Sequence, residues 1–186
     1  MFVNSELAKL LSSGEKPLLS LEVNPPHGVE FESILQRLEG RLEGVDLFNV
    51  TDSALARMRF AAIPFASLLK NRFGLEPLVN ISCRDRNLIA IQGDLLAAWA
   101  LGIRSVVALT GDAVSVGDSP ERKGVFEVNS VGLLKVIAKL NSGYDLAEKP
   151  LSGGTAFVPG VVVNPNAKNA AAELRRLDKK REAGAQ

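Results

Sequence analysis

The sequence predicts an α/β fold of the (β/α)8 TIM-barrel type, of which about the first five strand–helix units are present. Three observations predict it. Short apolar, often β-branched runs alternate with stretches of helical period, which means βαβ units and a parallel sheet. Polar residues close each apolar run, at Glu22, Thr51-Asp52, Asn80, Asp112 and Asn164. An open doubly wound sheet gathers its site at one switch point, whereas a barrel draws on many strand ends. Finally, the first run leads into Asn24-Pro25-Pro26-His27-Gly28 rather than the glycine fingerprint of a dinucleotide-binding sheet.

The strands are expected at Leu18–Val23, Leu47–Thr51, Leu78–Ser82, Ser105–Thr110 and Phe157–Asn164. Each has strand length and composition. Helices are expected near Glu30–Glu43, Ala54–Arg72, Arg86–Leu101, Asn129–Leu140 and Ala167–Ala183, where apolar residues recur at three- and four-residue spacing, as in Ile34, Leu35, Leu38 and Leu42. Gly44, Gly74, Gly102 and Gly184 fall where left-handed helix caps belong. Gly111–Gly124 is a long connection, a lid or a surface loop, and Ser142–Thr155 is a second of the same kind. A complete barrel takes about 250 residues. With 186 residues, the expectation is one partial barrel domain, 1–186, ending where a sixth strand would begin.

Composition narrows the class. Hydrophobic residues make up 46% and charged residues 23%, an ordinary globular balance, and the net charge of +1 gives no electrostatic case for nucleic acid or a membrane surface. Cys83 is the single cysteine and His27 the single histidine, too few for a structural zinc site, so no metal is expected. The N-terminal MFVNSELAKLLSSGEKP lacks the long apolar core and cleavage site of a signal peptide, and no apolar run approaches a membrane span. The expected setting is the cytoplasm.

Glu22 carries the sharpest chemical signal. Alternation puts Leu19, Leu21 and Val23 on one face of the first strand and Leu18, Ser20 and Glu22 on the other. A carboxylate there is either a general acid with a raised pKa or a structural ion pair or solvated edge position. Asp112 follows Gly111, whose freedom lets backbone approach a ligand; it is either a ligand-facing carboxylate or a turn cap. Asp52 or, by preference, Ser53 reads as a helix cap, as does Asp85, with Cys83 as a small buried residue, His27 as a loop residue and Trp99 as packing. Asn164-Pro165-Asn166-Ala167 is expected to open the last helix, whose free N–H groups could hold a phosphate; its Glu173, Arg176, Lys179 and Lys180 also fit a solvated face.

Taken in order, these motifs resemble the methylenetetrahydrofolate reductase family. The resemblance lies in Leu19-Ser20-Leu21-Glu22-Val23-Asn24-Pro25-Pro26, Phe48-Asn49-Val50-Thr51-Asp52, Asn80-Ile81-Ser82-Cys83-Arg84-Asp85-Arg86-Asn87, Ala108-Leu109-Thr110-Gly111-Asp112, and Asn164-Pro165 with Ala167-Lys168. It extends into the last helix at Leu174, Leu177 and Lys180 and covers nearly the whole chain. The Cys-Arg-Asp-Arg-Asn run resembles the branch that includes reductases fused to homocysteine methyltransferases.

That resemblance implies a flavoprotein of one-carbon metabolism and methionine biosynthesis. It would hold FAD, with FMN as the alternative, and reduce 5,10-methylenetetrahydrofolate with NAD(P)H or another electron donor. Glu22 matches the family's general acid, and Asp112 a carboxylate between flavin and pterin; both would also bind substrate. Flavin-contact positions match Thr51 and Asn80, then Thr110, Gly111 and Asp112 with Phe126, and finally Asn164, Ala167, Glu173, Arg176 and Lys180. Departures stand at Asn80 and Asn164, where His is frequent, at Thr110, where Arg is common, and at Glu173, where Asp is common. A homo-oligomer, or completion by a further C-terminal barrel portion, is implied as well. Two other readings stay open: a non-catalytic half-barrel that binds flavin or folate, and a pterin-linked methyltransferase barrel without flavin.

Overall fold

The computed structural model describes residues 6–14 and 17–186; the N-terminal run argued above to carry no signal peptide lies partly outside the described residues. Five strands form one parallel sheet: β1 Ser20–Val23, β2 Leu47–Val50, β3 Glu76–Ser82, β4 Ser105–Leu109 and β5 Val158–Val161. Their order is β1-β2-β3-β4-β5, each strand beside its sequence neighbour. An order with no reversal has no switch point, so the doubly wound alternative is excluded and the sheet is a run of barrel wall.

Between and after the strands come α2 Glu32–Leu38, α3 Ala62–Phe73, α4 Leu88–Ala100, α5 Ser130–Asn141 and α6 Ala170–Glu182. Asparagine sets the start of three of them. Asn87 accepts the N–H of Ala90, Asn129 those of Val131 and Gly132, and Asn169 that of Ala172. Gly74 ends α3 at φ 73°, a left-handed cap that a side chain would strain.

Alternation then sorts the sheet. Val23, Phe48, Val50, Val79, Ile81, Val106 and Ala108 point outward into the core, where Leu35, Phe65, Leu69, Ile91, Leu95, Leu133 and Ile137 of α2–α5 meet them. Trp99 packs edge-on against Phe157, and the Arg104 guanidinium lies 3.8 Å above its ring, so Trp99 is packing as expected. Cys83 is fully buried, and burial pushes its thiol up to about 11. His27 is an exposed loop residue.

Several expectations need correction. An additional helix, α1 Glu6–Ser13, precedes β1, and its Leu7 and Leu11 flank a small groove with Leu47, Leu78 and Val158 at the N-terminal end of the inner face. The helix expected over Ala54–Arg72 begins only at Ala62. Before it, Ser53, Leu55 and Ala56 have φ of 45°, 56° and 52°, a left-handed turn that no helix contains. Ser53 therefore caps no helix, and Asn87 rather than Asp85 caps α4. Gly44 is left-handed but lies beyond the end of α2, whose cap is Glu39 followed by left-handed Gly40. The last helix opens at Ala170, because Asn164 and Asn166 form a turn of their own, with Asn164 Oδ1 accepting the Asn166 N–H. No helix of the described residues is long and apolar enough to cross a membrane.

Candidate active site at the strand ends

The inner face reverses the chemistry of the outer one. Register places Glu22 beside Asn49, and one step further along it carries Thr51, Asn80 and Ser82. These side chains open on a cleft of about 400 Å³, which Thr110, Gly111 and Asp112 close from β4. Six of the expected site residues thus meet in one place: Glu22, Thr51, Asn80, Thr110, Gly111 and Asp112.

Hydrogen bonds hold most of them. Thr51 Oγ1 donates to Asn24 Oδ1 at 2.7 Å. Asn80 Nδ2 donates to Asn49 Oδ1 at 2.9 Å and to the Val50 carbonyl at 2.8 Å, which leaves its own oxygen free of bonds from the described residues. Thr110 Oγ1 accepts the Ser130 N–H at 3.1 Å and so anchors the start of α5. Glu22 is exposed and takes no hydrogen bond among the described residues. Asp112 Oδ2 accepts the Leu55 N–H at 2.8 Å, pinning the left-handed turn, while Oδ1 keeps its capacity to accept. Asp112 thus fixes a turn and also lines the cleft.

Gly111 has φ 97°, and a Cβ there would collide with the Ser82 hydroxyl. The close approach that this glycine permits is therefore to β3, within the protein's own wall.

The strongest element of the site is one that sequence reasoning passed over. Asp52, read as a cap, is buried and accepts Arg86 in a fork, Nη1 to Oδ2 at 2.6 Å and Nη2 to Oδ1 at 3.1 Å. The same Oδ2 accepts the Ser82 N–H at 2.8 Å, tying the end of β2 to the end of β3. Arg86 also donates to Asp94 on α4 at 2.7 Å. Burial works against the Arg86 charge, but the bonds and charges of Asp52 and Asp94 outweigh it and hold its pKa above the ordinary value. Arg84, almost wholly buried, donates to Asp85 through Nε and Nη2 and to the Ser53 carbonyl at 3.0 Å. The bond to Asp85 raises the Arg84 pKa against the cost of burial. The signal available in the sequence was Arg84-Asp85-Arg86 directly after an apolar strand, but its partner Asp52 is remote along the chain.

The remaining expected residues do not line this cleft. Phe126 stands at φ 43°, its ring against Gly124. On the far side of β5, the Asn164 N–H donates to Glu173 Oε1 at 3.2 Å, and the Ala167 N–H to the Asn164 carbonyl at 3.2 Å. Chiefly that bond from Asn164, then Arg176 at 3.2 Å, lowers the Glu173 pKa below its ordinary 4.5. Lys180 Nζ donates to the Val162 carbonyl at 2.6 Å. These residues form a second polar group on α6 and the turn before it, beside β5.

A barrel wall with an exposed carboxylate on its first strand and a Thr-Gly-Asp corner on its fourth agrees with one further finding. The family model for methylenetetrahydrofolate reductase matches residues 6–186. The chain belongs to the methylenetetrahydrofolate reductase family. It is 31% identical over 169 residues to the 5,10-methylenetetrahydrofolate reductase of Salmonella typhimurium, covering 90% of this chain and 52% of that protein. The enzyme of the same name from Escherichia coli is 30% identical over 169 residues, with 90% and 52% covered. That of Buchnera aphidicola subsp. Schizaphis graminum is 28% identical over 179 residues, with 95% and 56% covered. The chain spans about half the length of the curated relatives it matches. Family membership accounts for the fold and for the order of the motifs.

Proposed function

We propose that the protein takes part in the reduction of 5,10-methylenetetrahydrofolate to 5-methyltetrahydrofolate, with FAD or FMN as the bound flavin and a reduced nicotinamide nucleotide as electron source. The observation that carries this reading is Glu22, an exposed carboxylate without a partner among the described residues, in the same cleft as Asp112. Family membership supports the reaction class.

The residues present suit a flavin. Thr110 retains a hydroxyl proton to donate while its oxygen holds the Ser130 N–H, and the Asn80 amide oxygen is open to accept. Such alternating donors and acceptors match the polar edge of a flat heteroaromatic ring. Arg176, Lys180 and the basic last turn of α6 supply positive charge for its phosphates. When bound, the flavin supplies the hydride, and the protein supplies orientation and a proton. The Glu22 carboxyl donates that proton to the folate ring nitrogen, which opens the substrate's five-membered ring. Asp112 accepts from the N–H edge of the pterin through Oδ1, because Oδ2 is held by Leu55. The Asp52–Arg86 fork keeps the strand ends that carry these groups in register.

Glu22→Gln tests the reading. Folate turnover is expected to fall by about 10²–10⁴-fold, the usual contribution of a positioned general acid, with flavin absorbance retained. Unchanged turnover removes Glu22 from the acid role. A purified protein that shows no flavin absorbance even after reconstitution overturns the flavin.

A further inference from the structure

We propose that a second cavity, walled by the loops that follow β2, β3 and β4, binds the anionic portion of a small ligand whose ring system occupies the neighbouring cleft. Only the identity of that ring rests on the proposed folate reaction. The shared chemistry is a multiply charged oxyanion, either the phosphates of a nucleotide other than the flavin or the carboxylates of a folate's glutamyl tail.

The cavity holds about 410 Å³, and Asp52 and Arg84 belong both to its lining and to that of the cleft. Six cationic and three anionic side chains line it. Each carboxylate already has a cation: Asp52 has Arg86, Asp85 has Arg84, and Asp118 has Arg57 at 3.8 Å. What remains is Arg59, Arg122 and Lys123. Arg122 meets its neighbour Glu121 at 3.2 Å with both side chains mostly in water, so the pair is weak. Lys123 is exposed and Arg59 half-buried, and neither has a side-chain partner among the described residues. A partly desolvated guanidinium without a counter-charge is unfavourable, and its planar fork suits an oxyanion.

One turn forms the wall between the two cavities. It is the left-handed turn through Ser53, Leu55 and Ala56, held from one side by Asp112 and from the other by Gly117. A Cβ on Gly117 would collide with the Ala56 carbonyl, so the loop carrying Arg122 and Lys123 packs directly on that turn. Non-glycine residues held left-handed are strained and gather at ligand clamps. Here the strained turn has the reacting cleft on one side and the surplus positive charge on the other.

Calorimetric titration of the full chain with sodium pyrophosphate, and separately with a tri-glutamate peptide, tests this. One saturable site is expected for at least one probe. The Arg59→Ala/Lys123→Ala double variant should weaken it at least tenfold, while Lys135→Ala, on exposed α5 surface, leaves it as in the parent. Tighter binding of pyrophosphate assigns a nucleotide, and tighter binding of the peptide a glutamyl tail. Should the double variant alter the circular dichroism, Lys123→Glu at a fully surface position carries the same comparison. The proposal is overturned if neither probe saturates, if the Arg59/Lys123 variants bind as the parent does, or if Lys135→Ala weakens binding equally. Neither probe needs turnover. Loss of the folate reaction with probe binding intact breaks the functional reading alone, and the converse breaks this one alone.

Discussion

The two faces of the sheet are built from alternate residues of the same strands, yet they behave as different materials. Ile81 faces outward and is fully buried among helices, while its neighbours Asn80 and Ser82 face the cleft and hold hydrogen bonds. Val23 is buried outward, and Glu22, one residue before it, is exposed inward. The outer face is organised by area removed from water and is indifferent to direction. The inner face is organised by directed bonds, from Asn80 to Asn49 and to Val50, that set positions rather than contribute bulk stability. Stability and chemistry are thereby separated by one residue of register.

That comparison can be broken in several ways. The largest effect is on association. The sheet leaves β1 and β5 with open edges, and Leu19 and Val162 more than half exposed. Unpaired strand edges and exposed apolar residues drive pairing. This chain on its own is expected to dimerise or aggregate, and a stable monomer by light scattering would show that the inner face is self-sufficient. Next comes Asp52→Ala, which leaves Arg86 buried beside Asp94 alone. It should cost about 3–5 kcal/mol by urea denaturation, the usual penalty for breaking one side of a buried pair. A loss below about 1 kcal/mol would mean that the fork behaves like a surface bridge.

Ile81→Ala on the outer face should cost about 2–5 kcal/mol. Glu22→Gln, on the inner face, should stay within about 0.5 kcal/mol while abolishing turnover. Equal destabilisation by the two would erase the division between the faces. The smallest effect concerns Cys83. Its thiol is held near 11 by burial against an ordinary 9.0. The unfolded chain therefore ionises first as pH rises from 9.0 toward 11, so this residue's contribution is intact below 9.0 and declines through that window. Alkylation by iodoacetamide at neutral pH should need unfolding; rapid labelling of the native chain would contradict the burial.

Much of this was legible in the residues. The strand windows fell where expected because β-branched runs such as Ser105–Leu109 have one favourable outcome. The inward direction of Glu22 followed from period-two alternation alone. What was illegible depended on contacts across the chain. The stretch from Ala54 reads as helix by composition, but Asp112 and Gly117 reach it from beyond β4 and hold it left-handed. Asp52 reads as a cap because its partner, Arg86, arrives only when β2 and β3 lie side by side. The α6 residues share a helix with one another but not a cavity with Glu22, a separation that sequence order does not encode.

The sequence by itself determined the alternation of strand and helix, the polar strand ends and the family, since these depend on local periodicity and residue type. Only the tertiary structure decided which polar groups meet. It set Glu22 and Asp112 around one cleft, spent Gly111 on a contact with β3, and left Arg59 and Lys123 with charge to spare across a strained turn. The reason is physical: burial and pairing of charge are properties of neighbours in space, and a parallel sheet brings together residues that lie tens of positions apart.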